Sequence, residues 1–484
     1  MRHPLSFLTL PPHAWQFIGL GRSDDTEALL TWNQLQNFHE QPAVIDAWRK
    51  LFGSALDWLT PVRRRLLLSV AALFVAVEHP WRQLTRSARQ VGFAVDGIGL
   101  VLLLVTLFGF ACLCYWAAKN FKSLPEFVRR HPQMSLHTIF WIVLVVLWSK
   151  PPLHPTFQTL FAGYLLAMPF LLWRCGYMFF TAQRGKMAGT RFRDHLFYLY
   201  PVWGGSDTPY GKGWDYLSAN EAKNEEGLAK SQLAGVKLFL LAGIWAIAKI
   251  FLEGIVLGDE NAFRRALGGF SLELPRPGEL FAQPELYSIW VSWVALYVDL
   301  LRNVLSLAVK GHIIIGWVRL FGFNVFRNTY KPLLAESVVE FWNRYYYYFK
   351  ELLVNFFFYP TFARYFKSHP NLRIFTAVFA AAFIGNMYYH WIGLERENIT
   401  GDFPGMWSAL QSRLFYCFLL ASGIFISMLR QKRPRTAAKS QPGRRFIAVF
   451  GVWTFFSVIH IWAQKDPAPF LDRVRFFLGL LGLN

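Results

Sequence analysis

The chain has 484 residues, of which 54% are hydrophobic and 18% aromatic, and its formal net charge is +20. The apolar residues lie in long blocks rather than at the short intervals of a soluble core, which indicates membrane helices. The excess of Lys and Arg then indicates cytoplasmic loops and contact with the lipid bilayer. Nucleic acid is excluded as a partner because no compact basic domain is visible.

The first 62 residues are mixed and polar, and they predict a cytoplasmic or interfacial segment with a capped helix that begins near Ser23. Residues 63–320 predict a set of N-terminal membrane helices, which hydrophilic insertions interrupt near 183–232 and 258–284. The apolar run after Arg65 is short for a span and is typical of a helix that lies along the membrane interface.

The apolar blocks predict an all-α polytopic membrane protein with roughly eight to eleven membrane-embedded helices. Residues 286–321 are too long for one span and predict two spans or a broken one. The basic stretch 430–445 predicts a cytoplasmic loop, and residues 465–484 predict an amphipathic tail helix on the membrane surface. The other predicted spans lie near 95–118, 136–150, 156–182, 233–257, 372–394, 406–430 and 446–464.

The segment 340–360, EFWNRYYYYFKELLVNFFFYP, contains eleven aromatic residues. Glu340 and Arg344 are four residues apart, as are Arg344 and Tyr348, which favours a helix. The charges of Arg344, Lys350 and Glu351 are expected to face protein or a water-filled cavity. These features predict a re-entrant or interfacial helix. The alternative is an aromatic belt at the membrane surface without a chemical role.

Two flanking segments, FGFNVFRNTYKPLLAES at 321–337 and FAAAFIGNMYYHWIGL at 379–394, accompany this helix. Together the three segments resemble the membrane-bound O-acyltransferase family, in its bacterial branch of alginate O-acetyltransferases and teichoic acid D-alanyl transferases. The resemblance implies that residues 321–464 form the family's core. The matching residues are Asn324, Phe326, Arg327, Tyr330, Pro332, Glu340, Phe341, Trp342, Arg344, Phe358, Tyr359, Pro360 and His390.

This sequence departs from the family pattern at two positions. Tyr346 stands where the family usually has a histidine or an asparagine, and Asn343 lies one turn before it on the predicted helix. His390 precedes Trp391, whereas the family often has the order Trp-His. The resemblance implies catalytic roles for His390, Asn343 and Tyr346, and substrate contacts for Trp342, Arg344 and Asn386. Arg344 is expected to fix the helix or contact the donor, and Asn386 to orient the ring of His390.

The resemblance implies an enzyme that transfers an acyl group from a thioester donor to a hydroxyl. The donor would be acyl-CoA or an acylated carrier protein, and the acceptor a glycan, a lipid or a small metabolite. His390 would be the base, because an unperturbed histidine has a pKa of about 6.5, near the working pH. No bound cofactor and no metal are expected, and the expected location is the bacterial inner membrane.

Other charged or ionisable residues in apolar blocks have simpler interpretations. His312 and His460 have no motif around them and are interpreted as structural. Lys249 with Glu253, and Asp299 with Arg302, predict ion pairs or the polar wall of a cavity. Tyr346 favours the alternative function, a non-catalytic membrane scaffold or translocation partner on the same fold. A transporter is disfavoured because no paired broken helices occur in two matching halves.

Overall fold

The computed structural model describes six stretches of the chain, and within them it contains helices and no strand. The capped helix expected near Ser23 lies outside the described residues, as do most of the basic loop 430–445 and part of the insertion near 183–232. The described stretches are 37–149, 154–196, 198–199, 212–431, 442–463 and 468–483.

Thirteen helices are labelled in chain order, and shorter helical turns connect several of them. The helices are α1 Pro42–Trp58, α2 Pro61–Val91, α3 Gly97–Lys119, α4 Pro132–Trp148, α5 Pro155–Gln183, α6 Glu225–Val256, α7 Ile289–Leu320, α8 Val338–Tyr345, α9 Tyr347–Leu353, α10 Pro370–Ile392, α11 Phe403–Gln431, α12 Pro442–His460 and α13 Phe470–Leu480. The short turns are Glu126–Arg130, Trp214–Ala219, Ala262–Ala266, Pro277–Ala282, Tyr359–Arg364 and Glu395–Thr400.

Six of the described helices, α3, α5, α6, α7, α10 and α11, are long and apolar enough to cross a membrane. The chain is therefore an all-α polytopic membrane protein. The larger count expected from the sequence also included shorter or interfacial segments such as α4, which has 17 residues.

The expectation of two spans or a broken span over 286–321 is wrong, because α7 is one helix of 32 residues. Its embedded charges do not interrupt it, since Arg302 donates to Asp299 at 2.9 Å within the same helix. At about 1.5 Å per residue the helix is about 48 Å long, so it must tilt in, or extend beyond, a hydrocarbon layer of about 30 Å.

The aromatic segment lies inside the protein. It breaks into α8 and α9 at Tyr346, whose backbone angles, φ −121° and ψ 63°, are not helical. Most of its rings are buried against other helices rather than facing lipid, which argues against an aromatic belt. Glu340 pairs with Arg344 within α8, and Lys350 pairs with Glu351. Buried rings are Phe341, Trp342, Tyr345, Tyr348, Phe349 and Phe358.

Helices α6 and α7 pack closely and run antiparallel. Ser231 Oγ, near the start of α6, donates to the carbonyl of Arg319 near the end of α7 at 2.8 Å. A Cβ added at Gly235 would lie 2.8 Å from the carbonyl oxygen of Gly316. Small residues allow this approach of two backbones, as is common between membrane helices. The ion pair predicted within α6 is confirmed, since Lys249 donates to Glu253 at 2.9 Å.

Candidate functional site

A cavity of about 760 Å³ lies between α4, α5, the last turn of α10 and the segment 354–365. Its walls are mainly apolar and aromatic. Met134, Ile142 and Val145 on α4 line it and are 58–70% exposed, so one side of the cavity opens on the surface of the helix bundle. In a membrane-spanning protein, such an apolar opening is suited to the entry of a lipid chain.

The buried end of this cavity carries a network of four hydrogen-bonded side chains. Nδ1 of His137 lies 2.5 Å from the hydroxyl of Tyr388, and Nε1 of Trp141 donates to the same hydroxyl at 2.7 Å. Nε2 of Gln133 lies 2.7 Å from Nε2 of His137 and donates to the carbonyl of Leu172 at 3.3 Å. The network joins α4 to α10 and gives the apolar cavity one polar end.

The hydrogen-bond partners assign the protons in this network. The amide nitrogen of Gln133 faces a carbonyl, so the same nitrogen donates to Nε2 of His137. A neutral His137 therefore carries its proton on Nδ1 and donates it to Tyr388. Because the Tyr388 hydroxyl accepts from both His137 and Trp141, its own proton is available to a ligand in the cavity.

Aromatic stacking holds the network in place. The rings of Trp141 and Trp391 stack with centroids 4.4 Å apart and planes 13° apart. Trp173 of α5 stacks on Tyr389 with centroids 6.1 Å apart. Stacked rings of this kind add to the energy of apolar burial. The last turn of α10 is therefore supported on this side by α4 and α5.

His390 lies on the opposite side of α10 from this cavity. Successive residues of a helix are about 100° apart, so Tyr388 and His390 point about 200° apart. The ring of His390 makes an edge contact with Tyr416 of α11, with centroids 6.1 Å apart. His390 is not among the residues that line the cavity.

Tyr346 packs against the apolar cluster that contains Tyr416, the aromatic neighbour of His390. The ring of Tyr346 lies 4.2 Å from that of Tyr345 and 6.1 Å from that of Trp342. Two of the three residues expected to be catalytic, His390 and Tyr346, therefore lie at the same cluster of helices.

The remaining predicted residues lie apart from the cavity of His137. Asn343 and Trp342 line a separate cavity of about 40 Å³, with Lys350 also in its wall. Asn386 is buried, and its amide nitrogen has no hydrogen-bond partner within the described stretches, so that nitrogen does not orient His390. Arg344 pairs with Glu340 and donates to the carbonyl of Lys331 at 3.3 Å.

Sequence reasoning missed His137, Gln133 and Tyr388. A weak signal was present: Gln133 and His137 are four residues apart in the otherwise apolar helix α4, and paired polar residues in such helices often mark a functional site. Tyr388 gave no signal of its own. Its partners, His137 and Trp141, lie on α4 and meet Tyr388 only because α4 packs beside α10.

Comparisons with known proteins identify no family for this chain: no family model matches the sequence, and no curated protein matches it either. Within the described residues, no group of three or more His, Cys, Asp or Glu side chains could hold a metal ion. The features that bear on function are therefore the cavity, the side chains around it and the family resemblance of residues 321–394.

Proposed function

We propose that this protein is a membrane-embedded acyltransferase that moves an acyl group from a thioester donor to a hydroxyl of a glycan, lipid or small metabolite. The observation that best supports this proposal is the cavity of about 760 Å³, which combines apolar walls with one buried polar end. Such a cavity suits an acyl ligand that has a long apolar chain and a polar group.

In this proposal, the acyl chain occupies the apolar part of the cavity, and the hydroxyl of Tyr388 donates a hydrogen bond to a polar group of the acyl ligand. His137 and Trp141 hold the Tyr388 hydroxyl in place. They act as positioning residues.

His390 is the proposed base, as the family resemblance implies. His137 is less suited to that role because both of its ring nitrogens are engaged by Gln133 and Tyr388. Since Tyr388 and His390 face opposite sides of α10, Tyr388 is assigned to binding of the acyl ligand and not to the reacting carbonyl. The reaction is assigned to the side of Tyr416. There His390 takes the proton of the acceptor hydroxyl as its oxygen attacks the thioester carbonyl, the carbon–sulfur bond breaks, and the thiol of the donor leaves.

The test is thioester turnover in membranes that contain the full chain, with acyl-CoA and acylated carrier-protein donors and endogenous lipids and glycans as acceptors. His390→Ala should abolish turnover without changing expression. Tyr388→Phe should raise KM for the donor, because it loses a hydrogen bond to the acyl ligand. His312→Gln is the control: this histidine lies in α7, and its Nδ1 is 2.5 Å from the carbonyl oxygen of Ala308.

Three outcomes are informative. Turnover that disappears in His390→Ala and persists in His312→Gln supports the proposal. Turnover that is equal in His390→Ala and the unsubstituted protein removes His390 as the base. If neither donor class is turned over, the proposed acyltransferase activity is contradicted. That outcome supports the non-catalytic scaffold, which the departure from the family pattern at Tyr346 also favours.

A further inference from the structure

Four cations converge where the end of α7, the first half of α6 and the loop 321–331 meet. Arg319 at the end of α7 donates to the carbonyl of Val325 through Nε at 3.0 Å and Nη2 at 2.8 Å. Its Nη1 donates to the carbonyl of Ala234 on α6 at 3.5 Å. Arg319 thereby holds the loop against α6. The four cations are Lys237, Arg319, Arg327 and Lys331.

The other three cations lie around this junction. The guanidinium of Arg327 lies 4.2 Å from the ring centroid of Tyr330, and Nζ of Lys331 lies 5.8 Å from the same centroid. Nζ of Lys237 lies 3.4 Å from Oδ1 of Asn37. Lys237 lies one turn after Ala234 on α6, the residue whose carbonyl accepts from Arg319. The main polar or aromatic contacts of Lys237, Arg327 and Lys331 are therefore one tyrosine ring and one amide oxygen.

The four cations are only weakly neutralised within the described part of the chain. None of the four cations forms an ion pair there. The carboxylate of Glu40 acts on Lys237, but that side chain is 63% exposed. Burial and the nearby Arg319 lower the pKa of Arg327 to about 10. Burial and the cations Lys237, Arg319 and Arg327 likewise lower the pKa of His39 to about 4. An anion would relieve this repulsion.

The backbone at Lys331 gives a second, independent indication of a functional position. Lys331 has φ 48° and ψ 50°, a left-handed conformation that is unfavourable for a residue with a side chain. Two hydrogen bonds hold it: Arg344 donates to the carbonyl of Lys331 at 3.3 Å, and the amide of Tyr330 donates to the carbonyl of Arg344 at 2.7 Å. Strain of this kind clusters at binding and catalytic sites.

We propose that Lys237, Arg327 and Lys331 bind the phosphate group of a ligand, with Arg319 as a fixed positive charge behind them. A guanidinium can hold two phosphate oxygens at once, and lysine ammonium groups add point charges around the same group. The site lies at one end of the α6–α7 pair, where membrane-spanning helices reach the membrane surface. Both a phospholipid headgroup and a soluble phosphate have the required chemistry. This inference does not depend on acyl transfer.

The test measures binding and thermal stability of the full chain in two arms. The soluble arm uses an uncharged detergent and titrates inorganic phosphate or pyrophosphate against chloride of equal ionic strength. The lipid arm compares nanodiscs of phosphatidylcholine with nanodiscs that also contain phosphatidylglycerol. The variants are Arg327→Gln and the exposed Lys331→Gln, which carries little risk to folding. Lys230→Gln is the matched control, because Lys230 lies on α6 in an ion pair with Glu226.

A rise in Tm with phosphate or pyrophosphate alone assigns a soluble ligand, and a rise with phosphatidylglycerol alone assigns a headgroup. Arg327→Gln and Lys331→Gln should each weaken binding by about tenfold, since charged hydrogen bonds are lost, whereas Lys230→Gln should not. The proposal is overturned if neither arm stabilises the unsubstituted protein. It is also overturned if all three variants respond as that protein does.

Discussion

Nδ1 of His137 lies 2.5 Å from the hydroxyl of Tyr388, although the two residues are 251 positions apart in the chain. Trp141 donates to the same hydroxyl, so two side chains of α4 hold Tyr388 at the polar end of the cavity. The two sides of α10 therefore have different surroundings. Tyr388 faces the cavity, and His390 faces Tyr416.

Tyr388→Phe should destabilise the protein. The substitution removes the acceptor shared by His137 and Trp141 and leaves two donors without it, which typically costs about 1–3 kcal/mol per buried group. Thermal unfolding in detergent measures the loss. Tyr365→Phe is the control, since that ring also lines the cavity but is 55% exposed. Equal Tm values for both variants would show that the hydroxyl of Tyr388 is not a structural acceptor.

Gly235→Ala should destabilise the α6–α7 contact by about 1–3 kcal/mol, because its Cβ would meet the backbone of Gly316. Gly243→Ala on the same helix is the matched control. Its Cβ would meet nothing within 4 Å, and alanine has the higher helix propensity, so its stability should be unchanged or slightly higher. Denaturation of both variants in the same detergent compares them. A loss as large for Gly243→Ala as for Gly235→Ala would contradict this packing.

Glu351→Gln should remove the carboxylate that pairs with Lys350 and Lys212. Breaking a buried pair typically costs about 3–5 kcal/mol, since the partners remain charged. Burial alone would raise the pKa of Glu351, but Lys350 and Lys212 outweigh it and lower the pKa from 4.5 to about 2. Because the pKa of Glu351 is lower in the folded protein than in the unfolded chain, the ionised carboxylate stabilises the fold at pH values above 4.5. This contribution is lost as the pH falls from 4.5 toward 2.

The stability difference between the unsubstituted protein and Glu351→Gln should therefore be complete at pH 7 and smaller at pH 3. Thermal unfolding across this range, with both proteins in the same detergent, measures it. A difference that stays constant from pH 7 to pH 3 would show that the carboxylate has no lowered pKa.

Arg364→Gln should weaken the binding of acyl ligands with an anionic head by about two- to fivefold, which is the scale of an exposed charge interaction. Arg364 lines the cavity and donates to the carbonyl of Arg130 at 3.0 Å. Calorimetric titration with palmitoyl-CoA and uncharged palmitoylglycerol provides the comparison. Only the charged ligand should respond, and Lys367→Gln, an exposed cation three residues away, should change neither affinity. A matching loss for the uncharged ligand would instead indicate a change in cavity shape.

Much of the helical architecture was predictable because its causes are local. Long apolar blocks favour transfer into lipid, and this property of a single segment predicted the positions of α3, α5, α10 and α11. The ion pair of Lys249 with Glu253 was also predictable, because residues four apart meet on one helix face. The single helix α7 was not, since its length depends on how its charges are neutralised.

The sequence by itself determined that this is a helical membrane protein with charged residues held in pairs along its helices. Only the tertiary structure decided that the aromatic segment is buried, that His137 meets Tyr388, and that four cations share one junction. The physical reason is the distance along the chain. Hydropathy and helical spacing act within one segment, whereas a cavity or a charge cluster depends on which faces of separate helices pack together.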